Sequence, residues 1–459
     1  MLRSLTTLLV LTGSALCQGL TFGNLYVVRV GDGSATLTSA STPTFVDEYT
    51  KTGTFVQTIA MPITQSGANY PLTNAGSSTS EGFLNQSTNG LYLTLAGYAT
   101  APGLAAVPTT AASATPRCVG SIFLSGAVDT STTLTDAYGG GGAGNNGNIR
   151  SAVSDDGLQF WTSGNSLNSA GIRYVTLGGT TSVGINAGAP QNTRVAGIHN
   201  GQLYTSSSSQ SNYGVIQVGT GLPTVGPATL SLLPGMATMS GPSIYDFWFA
   251  DAVTLYCADD SAGQGGIKKF ALIAGIWTLQ YTLAAGQPCR GLTGTRAAGV
   301  TTLWATTGGS IIRVADTGPS ATFSAIATAA PNTAFRGLRL LKRPSTVQRI
   351  PASCSPVEID MAGNAEVGTD IVVTMINPVG TPLISYGLNL LMAPICGTCT
   401  LVHDLTFTVV GGQHVFSIPP NPSLAGIAVY AQGVDYLAPG GCTTPFLVTG
   451  TDGFVFTIQ

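Results

Sequence analysis

The sequence predicts an all-β protein in which a six-bladed β-propeller is followed by an antiparallel β-sandwich. The first observation is composition: the 459 residues include 60 Gly and 25 Pro, which is typical of short strands joined by many turns. The second is that no segment after residue 20 has the 3.6-residue apolar period of a helix. The third is a strand-and-turn pattern that recurs at roughly the 40 to 50 residue spacing of propeller repeats.

The balance of charged and apolar residues excludes several classes of protein. Only 8% of the residues are charged, yet 44% are hydrophobic, which is too apolar for a disordered chain. The net charge of -3 comes without a basic stripe for nucleic acid or a polybasic segment for an anionic membrane. We therefore expect no nucleic-acid partner and a surface covered by Ser, Thr, Asn, Gln and Gly.

The first 17 residues have the pattern of a secretory signal peptide. Arg3 is followed by an apolar core at 5–11 and a small-residue end at 13–17. Cleavage after Cys17 is the favoured interpretation, and lipidation of Cys17 is the alternative. No later apolar run reaches the roughly 20 residues that a membrane span needs. We expect a protein that is secreted, extracellular or held at the cell surface.

The repeat pattern is clearest at 193–234, the fourth of six predicted units. Strands are predicted at 194–198, 202–205, 214–218 and 228–233, with Asn200-Gly201 and Pro234-Gly235 as turns. The other units have the following predicted strands: first, 25–30, 44–49 and 55–59; second, 82–84, 91–95, 119–124 and 133–138; third, 150–153, 158–161, 172–177 and 181–184; fifth, 245–249, 254–256, 267–272 and 277–281; sixth, 290–292, 301–304, 310–314 and 321–325.

The two ends of the repeat region are predicted to meet. The first unit lacks an innermost strand, and a lone strand at 335–341 follows the sixth unit. Placing that strand in the first unit closes a ring of six blades and removes two exposed sheet edges. The predicted domains are a signal peptide at 1–17, a propeller at 18–344, a linker at 345–353 and a sandwich at 354–459. Seven strands are expected in the sandwich, at 357–359, 370–376, 383–391, 405–410, 414–418, 425–432 and 453–458.

Two strand–turn–strand segments carry a family resemblance. Residues 154–161 (SDDGLQFW) and 87–93 (STNGLYL) resemble the inner hairpin of bacterial surface propellers with YVTN-like repeats. The chain as a whole is similar to uncharacterised secreted proteins of environmental bacteria such as planctomycetes, in which a propeller precedes a C-terminal module. The resemblance implies a fold and a secreted location. It brings no activity and no catalytic residues.

One charged residue stands at the start of each predicted innermost strand. The six are Glu81, Arg150, Arg194, Asp246, Arg290 and Arg336, and we call them the collar. Because charged residues are scarce, this recurrence predicts a ring at one mouth of the channel. One interpretation is a site for an anionic or sugar ligand gripped by Arg. The favoured one is a network in which the carboxylates pair with Arg neighbours and fill the channel.

Glu81 and Asp246 are three blades apart and are the only opposed carboxylates of the collar. That placement suits an acid and a base of a glycosidase, but four nearby Arg would keep both ionised, which is poor for a general acid. We therefore predict no catalytic residue, no metal site and no cofactor. The leading hypothesis is a non-enzymatic binding protein for an extracellular glycan or protein. The alternative is an extracellular polysaccharide hydrolase or lyase that uses the charged mouth.

Seven cysteines remain after the signal peptide, and an exported protein favours disulfides. Those of the second domain are Cys354, Cys396, Cys399 and Cys442, with their connectivity left open. Cys257 and Cys289 fall in consecutive units and are candidates for a further pair. That arrangement leaves Cys118 as the odd thiol.

Overall fold

The computed structural model describes most of the chain after the predicted signal peptide. The described residues are 19–142, 146–166, 169–186, 188–263, 265–297, 299–343, 347–354, 357–363, 365–396, 399–436 and 448–459. Within these ranges the regular structure is all β, in antiparallel sheets, apart from two short 3-10 helices at Val107–Thr109 and Pro422–Leu424. None of the helices in these ranges has the length and apolar character needed to cross a bilayer.

The first eight strands belong to one sheet that covers the first two predicted units. They are β1 (Leu25–Val30), β2 (Ser41–Tyr49), β3 (Phe55–Ala60), β4 (Thr73–Ala75), β5 (Asn85–Gln86), β6 (Tyr92–Tyr98), β7 (Arg117–Phe123) and β8 (Val128–Leu134). The second half of β2 pairs with β3, and its first three residues pair with β4. Since β4 also contacts β6, the two units are joined. The sequence analysis does not predict β4, because three residues among turn formers give no periodic signal.

The strand predicted at 82–84 is wrong. Phe83 forms a single parallel bridge to Ser151, and the two-residue β5 pairs with β6 instead. The physical reason is Gly82, which has a φ of +71° and so lies outside the conformations of a strand. A Cβ at Gly82 would lie 3.3 Å from the Cβ of Arg336, so the chain passes close to a later segment at this point.

Four further sheets have four strands each and follow one another along the chain. Their strands are β9 (Asn148–Val153), β10 (Gln159–Asn165), β11 (Arg173–Thr176) and β12 (Val183–Gly184); β13 (Thr193–His199), β14 (Gln202–Ser209), β15 (Asn212–Val218) and β16 (Leu230–Leu232); β17 (Ile244–Asp251), β18 (Thr254–Asp259), β19 (Gly266–Ile273) and β20 (Ile276–Ala284); β21 (Leu292–Ala297), β22 (Val300–Thr306), β23 (Ser310–Asp316) and β24 (Ser324–Thr328). In each sheet the strands pair in sequence order. These sheets correspond to the predicted third to sixth units.

The strand after the last of these sheets returns to the first one. It is β25 (Ala334–Leu340), and it pairs antiparallel with β1, with Leu340 opposite Leu25 and Arg339 opposite Tyr26. The predicted pairing of this segment with the first unit is therefore present. β1 lies between β25 and β2, so the sheet is built from both ends of the repeat region.

Side-chain hydroxyls connect each of several sheets to the next. Ser163 on β10 donates to the carbonyl of Arg194 on β13 at 2.6 Å. Ser206 on β14 donates to the carbonyl of Tyr245 on β17, and Thr306 on β22 donates to that of Arg336 on β25. In all three cases the donor is on the second strand of one sheet and the acceptor is on the first strand of the following sheet. A small hydroxyl satisfies a buried carbonyl here where two sheets meet.

The last part of the chain forms three sheets, of five, three and two strands. Its strands are β26 (Gln348–Ile350), β27 (Glu358–Gly363), β28 (Asp370–Ile376), β29 (Thr381–Gly387), β30 (Leu390–Cys396), β31 (Cys399–His403), β32 (Phe407–Val410), β33 (Gln413–Ser417), β34 (Ala428–Tyr436) and β35 (Val448–Thr457). The sheets are β26-β35-β34-β29-β32, β27-β28-β33 and the hairpin β30-β31. One apolar cluster includes Ile371 and Val373 of the three-stranded sheet together with Ile384 and Phe456 of the five-stranded sheet.

Two details of this part differ from the sequence-based expectation. β26 lies in the stretch predicted as a linker, and it pairs with β35. The single strand predicted at 383–391 is two strands, because β29 ends at Gly387 and β30 begins at Leu390. Asp404 accepts hydrogen bonds from the backbone N–H of Leu388 at 2.9 Å and of Asn389 at 3.3 Å. This contact fixes the turn between the two strands.

Candidate functional site

The structure places the collar residues on or just before neighbouring first strands. Arg150, Arg194, Asp246 and Arg336 lie on β9, β13, β17 and β25, while Glu81 and Arg290 precede β5 and β21. Backbone hydrogen bonds join these segments. Phe83 N–H donates to the carbonyl of Arg150 at 3.0 Å, and Asp246 N–H donates to that of Arg290 at 3.1 Å. The alignment of repeats therefore picked out residues that are close in space.

The carboxylate of Glu81 is buried and accepts hydrogen bonds from three other residues. Its side chain accepts hydrogen bonds from the N–H of Ala75 at 2.9 Å, from the hydroxyl of Tyr98 at 2.7 Å and from the amide of Asn148. Glu81 is fully buried, and burial raises its pKa, although these donors and the positive charge of Arg336 oppose the rise. Both carboxylate oxygens of Glu81 therefore already accept hydrogen bonds from other groups of the protein.

Asp246 is held by an arginine that the sequence analysis did not select. Arg339 donates from Nη1 to Oδ2 at 2.6 Å and from Nη2 to Oδ1 at 3.0 Å. The N–H groups of Phe247 and Leu292 add bonds of 2.8 and 3.0 Å to the same carboxylate. Asp246 is fully buried, so a bidentate ion pair with further donors is the arrangement that makes its burial tolerable.

Arg150 and Arg336 are buried and bind backbone and amide oxygens. Arg150 Nη1 donates to Asn192 Oδ1 at 2.6 Å and to the carbonyl of Thr193 at 2.8 Å. Arg336 Nη2 donates to the carbonyl of Gly76 at 2.8 Å. Burial lowers the pKa of each to about 10, so both stay charged at neutral pH. Among the described residues, no carboxylate lies within 4 Å of either guanidinium.

The remaining two arginines flank one aromatic ring. The Cζ of Arg194 lies 4.0 Å from the ring centroid of Tyr245, and that of Arg290 lies 4.9 Å from it. Asp260 is shared between them, 2.8 Å from Arg290 Nη2 and 3.8 Å from Arg194 Nη1. We call Arg194, Tyr245, Asp260 and Arg290 the arginine clamp. The side chains of Arg194 and Arg290 keep 14% and 23% of their surface exposed, the most among the collar arginines.

Phe83 packs against the aromatic ring of the clamp. The ring of Phe83 stacks on that of Tyr245, with centroids 5.5 Å apart. Both rings belong to a buried cluster with Val195. The three residues come from segments far apart in the chain, so this cluster joins those segments.

The charges around the collar do not cancel. Five guanidinium groups, those of Arg150, Arg194, Arg290, Arg336 and Arg339, face the three carboxylates of Glu81, Asp246 and Asp260, an excess of two positive charges. The nearby Asp259 is paired with Lys268 at 3.2 Å. The whole chain has a net charge of -3, so the collar is a positive region on an acidic protein.

The arginines of this site stand out in the sequence, but the groups that organise it do not. Phe83, Tyr245, Asp260 and Arg339 were not selected. Tyr245 directly precedes the collar residue Asp246, and Arg339 is on the same strand as Arg336. The chain has only 17 basic residues. The closeness in sequence of Tyr245 and Arg339 to collar residues was therefore the signal that could have identified them. In the described ranges, no group of three or more His, Cys, Asp or Glu is placed to hold a metal ion.

The cysteines divide between the two parts of the chain. Cys354 and Cys399 form a disulfide with their Cα atoms 4.9 Å apart. Cys257 and Cys289 do not pair: both thiols are free and buried, as is that of Cys118. They lie in different apolar clusters, Cys257 with Phe247 and Cys289 with Leu303, which keeps them apart. Burial raises the pKa of Cys289 to about 12. Cys442 and the side chain of Cys396 lie outside what the structure describes.

Comparison with solved structures gives distant similarities. One is the structure described as the extracellular domain of a hybrid two-component system of B. thetaiotaomicron, with 8% identity, a TM-score of 0.37 and coverage of 91% of this chain and 56% of that one. The GH74 enzyme of Niastella koreensis has 10% identity, a TM-score of 0.38 and coverage of 78% and 59%. The dihydro-heme d1 dehydrogenase NirN in complex with DHE has 11% identity, a TM-score of 0.35 and coverage of 94% and 74%.

These similarities have limited reach. The chain spans 56% and 59% of the first two of these structures. No protein-family model matches the sequence, and no curated protein matches it either. The resemblance to secreted bacterial propellers with YVTN-like repeats stays a prediction.

Proposed function

We propose that the chain is a secreted or cell-envelope-associated binding protein without catalytic activity. In this proposal residues 18–344 form a six-bladed β-propeller that β25 closes, and residues 354–459 form a β-sandwich joined to it by 345–353. The pairing of β25 with β1 and the four successive four-stranded sheets support the propeller. The apolar cluster shared by two C-terminal sheets supports the sandwich. The signal pattern at 1–17 supports export.

The ligand proposed for the propeller is an anionic group on an extracellular glycan or protein. The observation that carries this proposal is the arginine clamp, in which Arg194 and Arg290 share the single carboxylate of Asp260. A second carboxylate, or a sulfate, would complete the charge balance between the two guanidinium groups. Arg194 already donates from Nη1 to Ser243 Oγ at 2.9 Å and to the carbonyl of Ile244 at 2.8 Å, so its other nitrogens would donate to the ligand. The ring of Tyr245 is buried and positions the two guanidinium groups by cation–π contacts.

The alternative function, hydrolysis or lysis of a polysaccharide, needs an acid and a base that face the sugar. Glu81 and Asp246 are the carboxylates that the collar offers for this. Both are fully buried, and their oxygens are bonded to protein donors. A carboxylate in that state neither reaches a glycosidic oxygen nor activates a water on its far side. The geometry therefore favours binding over turnover.

A glycan array combined with a hydrolysis screen tests the proposal. The mature protein is compared with Arg290→Gln, Arg194→Gln and Asp246→Ala, and with Arg313→Gln as a matched control on an exposed strand position. We expect retention of uronic-acid or sulfated glycans by the wild type and the control, loss of retention in both clamp variants, and no product from any protein. Product formation by the wild type would contradict the proposal, and its loss in an Asp246→Ala protein that circular dichroism shows to be folded would establish the enzyme instead.

A further inference from the structure

We propose that the open edge of β32 pairs with the same edge of a second copy of this chain to form a symmetric dimer. β32 is the last strand of the five-stranded sheet, and only β29 pairs with it among the described residues. Its far side therefore presents backbone groups without strand partners. An exposed strand edge of this kind is a template for another strand.

The hydrogen-bond pattern shows which backbone groups face outward. The N–H of Gly411 donates to the carbonyl of Pro382 on β29 at 2.8 Å. Bonded positions alternate in an antiparallel pair, so Phe407 and Val409 bond to β29. The N–H and C=O groups of Thr408 and Val410 then point to the open edge. Two such edges related by an axis through Val409 exchange four N–H···O=C bonds between Thr408 of one copy and Val410 of the other.

Exposed apolar side chains are concentrated in the part of the sequence that contains this strand. Seven of the 24 exposed large apolar residues fall within 23 residues of sequence. They are Leu388, Leu390, Leu391, Met392, Leu405, Phe407 and Val410, and we call them the apolar strip. The contacts of Asp404 with the N–H of Leu388 place one end of the strip beside Leu405. Because successive side chains of a strand alternate between its faces, Phe407 and Val410 expose apolar surface on opposite faces of β32, on both sides of the open edge.

The distribution of charge favours a second copy as the occupant. The stretch 405–434 contains no Lys, Arg, Asp or Glu, so nothing on the edge repels an identical edge. The two copies of Asp404 fall at opposite ends of the paired strands. The other edge of the same sheet is protected, because β26 carries Arg349, whose side chain is 54% exposed and pairs with Asp452. A two-fold interface needs a surface that is compatible with itself, and β32 meets that condition.

Sedimentation equilibrium of the full mature chain tests the proposal. Thr408→Pro removes one outward N–H and leaves the bonds of Phe407 and Val409 to β29 in place. Val410→Lys puts a charge on the edge. Val225→Lys is the control, because Val225 is 74% exposed and lies away from the strip in sequence. Thermal melts followed by circular dichroism confirm that each variant is folded.

We expect a dimer for the wild type and the control, and a dissociation constant at least tenfold higher for both edge variants. The proposal would be overturned if the wild type stays monomeric at all concentrations or forms open-ended assemblies. It would also be overturned if the dissociation constant of the dimer is unchanged in both edge variants. Co-sedimentation with phosphatidylcholine vesicles separates a lipid surface from a second copy. Vesicle binding by the monomer that Val410→Lys abolishes would assign the strip to a membrane and would also overturn the proposal.

Discussion

Arg339 forms a bidentate ion pair with Asp246, in which Nη1 donates to Oδ2 at 2.6 Å and Nη2 donates to Oδ1 at 3.0 Å. The same side chain donates to the carbonyl of Leu292 at 2.5 Å and to Asn85 Oδ1 at 2.8 Å. One residue on β25 thus connects β17, β21 and β5. The strand that returns to the start of the repeat region is held there by a buried ion pair as well as by its ladder with β1.

Removing one half of this pair should be costly. Arg339→Met leaves the fully buried Asp246 without its counter-ion, and the loss of one partner of a buried pair costs about 3 to 5 kcal/mol. Asp246→Leu combined with Arg339→Met should recover most of that loss, because neither charge is then left unpaired. Urea denaturation of the two proteins checks this, with Arg313→Met as the exposed control. Equal stability of the single and double variants would contradict the role given to the pair.

A close backbone contact beside this pair gives a second prediction. Gly337 on β25 donates to the carbonyl of Gly82 at 3.0 Å, and a Cβ at Gly337 would lie 2.5 Å from the Cα of Phe83. Gly337→Ala must therefore push β25 away from the segment before β5, at a cost of about 1 to 3 kcal/mol. Gly309→Ala is the matched control, since a Cβ there meets no atom within 4 Å. Thermal unfolding should show a lower midpoint for Gly337→Ala alone. A midpoint equal to that of the control would mean that the two segments are not in contact.

Asp360 should make stability depend on pH. Burial and the nearby charge of Asp251 raise its pKa to about 6, against opposing contributions from the N–H of Met361, from Asn200 and from Arg349. A raised carboxyl pKa means that the folded state holds the proton more tightly than the unfolded state. The stabilising contribution is full below the ordinary carboxyl pKa of 3.8 and is lost as pH rises through about 6.

Asp360→Asn keeps the neutral shape and removes this titration. We expect little difference from the wild type at pH 4 and a gain on the order of 2 kcal/mol at pH 8, measured as free energy of unfolding in urea. Glu358→Gln on the same strand, at an exposed position, is the control. A gain for Asp360→Asn that is the same at both pH values would show that ionisation of this group is not responsible.

The cysteines give a fourth prediction, which can be checked by mass spectrometry. Under non-reducing conditions a peptide pair joined through Cys354 and Cys399 should be recovered. Replacing both with Ser should lower stability by about 2 to 4 kcal/mol. The thiols of Cys118, Cys257 and Cys289 are buried, so an alkylating reagent should modify them only after unfolding. Alkylation of any of the three in the native protein would contradict their placement.

The sequence predicts the pattern of sheets well for a physical reason. Strands with alternating or β-branched residues and turns such as Asn200-Gly201 are local signals, and they recur in each repeat. β4 and β5 were missed because two or three residues have no period. The hairpin β30-β31 was missed because residues 383–391 were predicted as one strand, across the break between β29 and β30. What decides these elements is contact with distant residues, such as the bonds of Asp404 to Leu388 and Asn389.

The site was predictable in part for the same reason. The scarcity of charge made Arg194 and Arg290 stand out, and the structure brings both to one ring. The roles of the collar residues depend on partners that the repeat alignment does not contain. Arg339 and not a collar arginine binds Asp246, and Tyr98 with Asn148 binds Glu81. The opposed carboxylates predicted for the channel are therefore bonded within the protein, and a ligand at the clamp stays a prediction.

Calorimetric titration with one matched pair of oligosaccharides shows whether the arginine clamp binds an anionic group. The pair consists of a uronic-acid oligosaccharide and its reduced, neutral analogue, each titrated into the wild type and into Arg290→Gln. The account predicts that the wild type binds the charged member at least tenfold more tightly, and that Arg290→Gln abolishes this preference because Asp260 then has only Arg194 for a partner. Equal affinity of the wild type for the two members, or a preference that survives in Arg290→Gln, would contradict it.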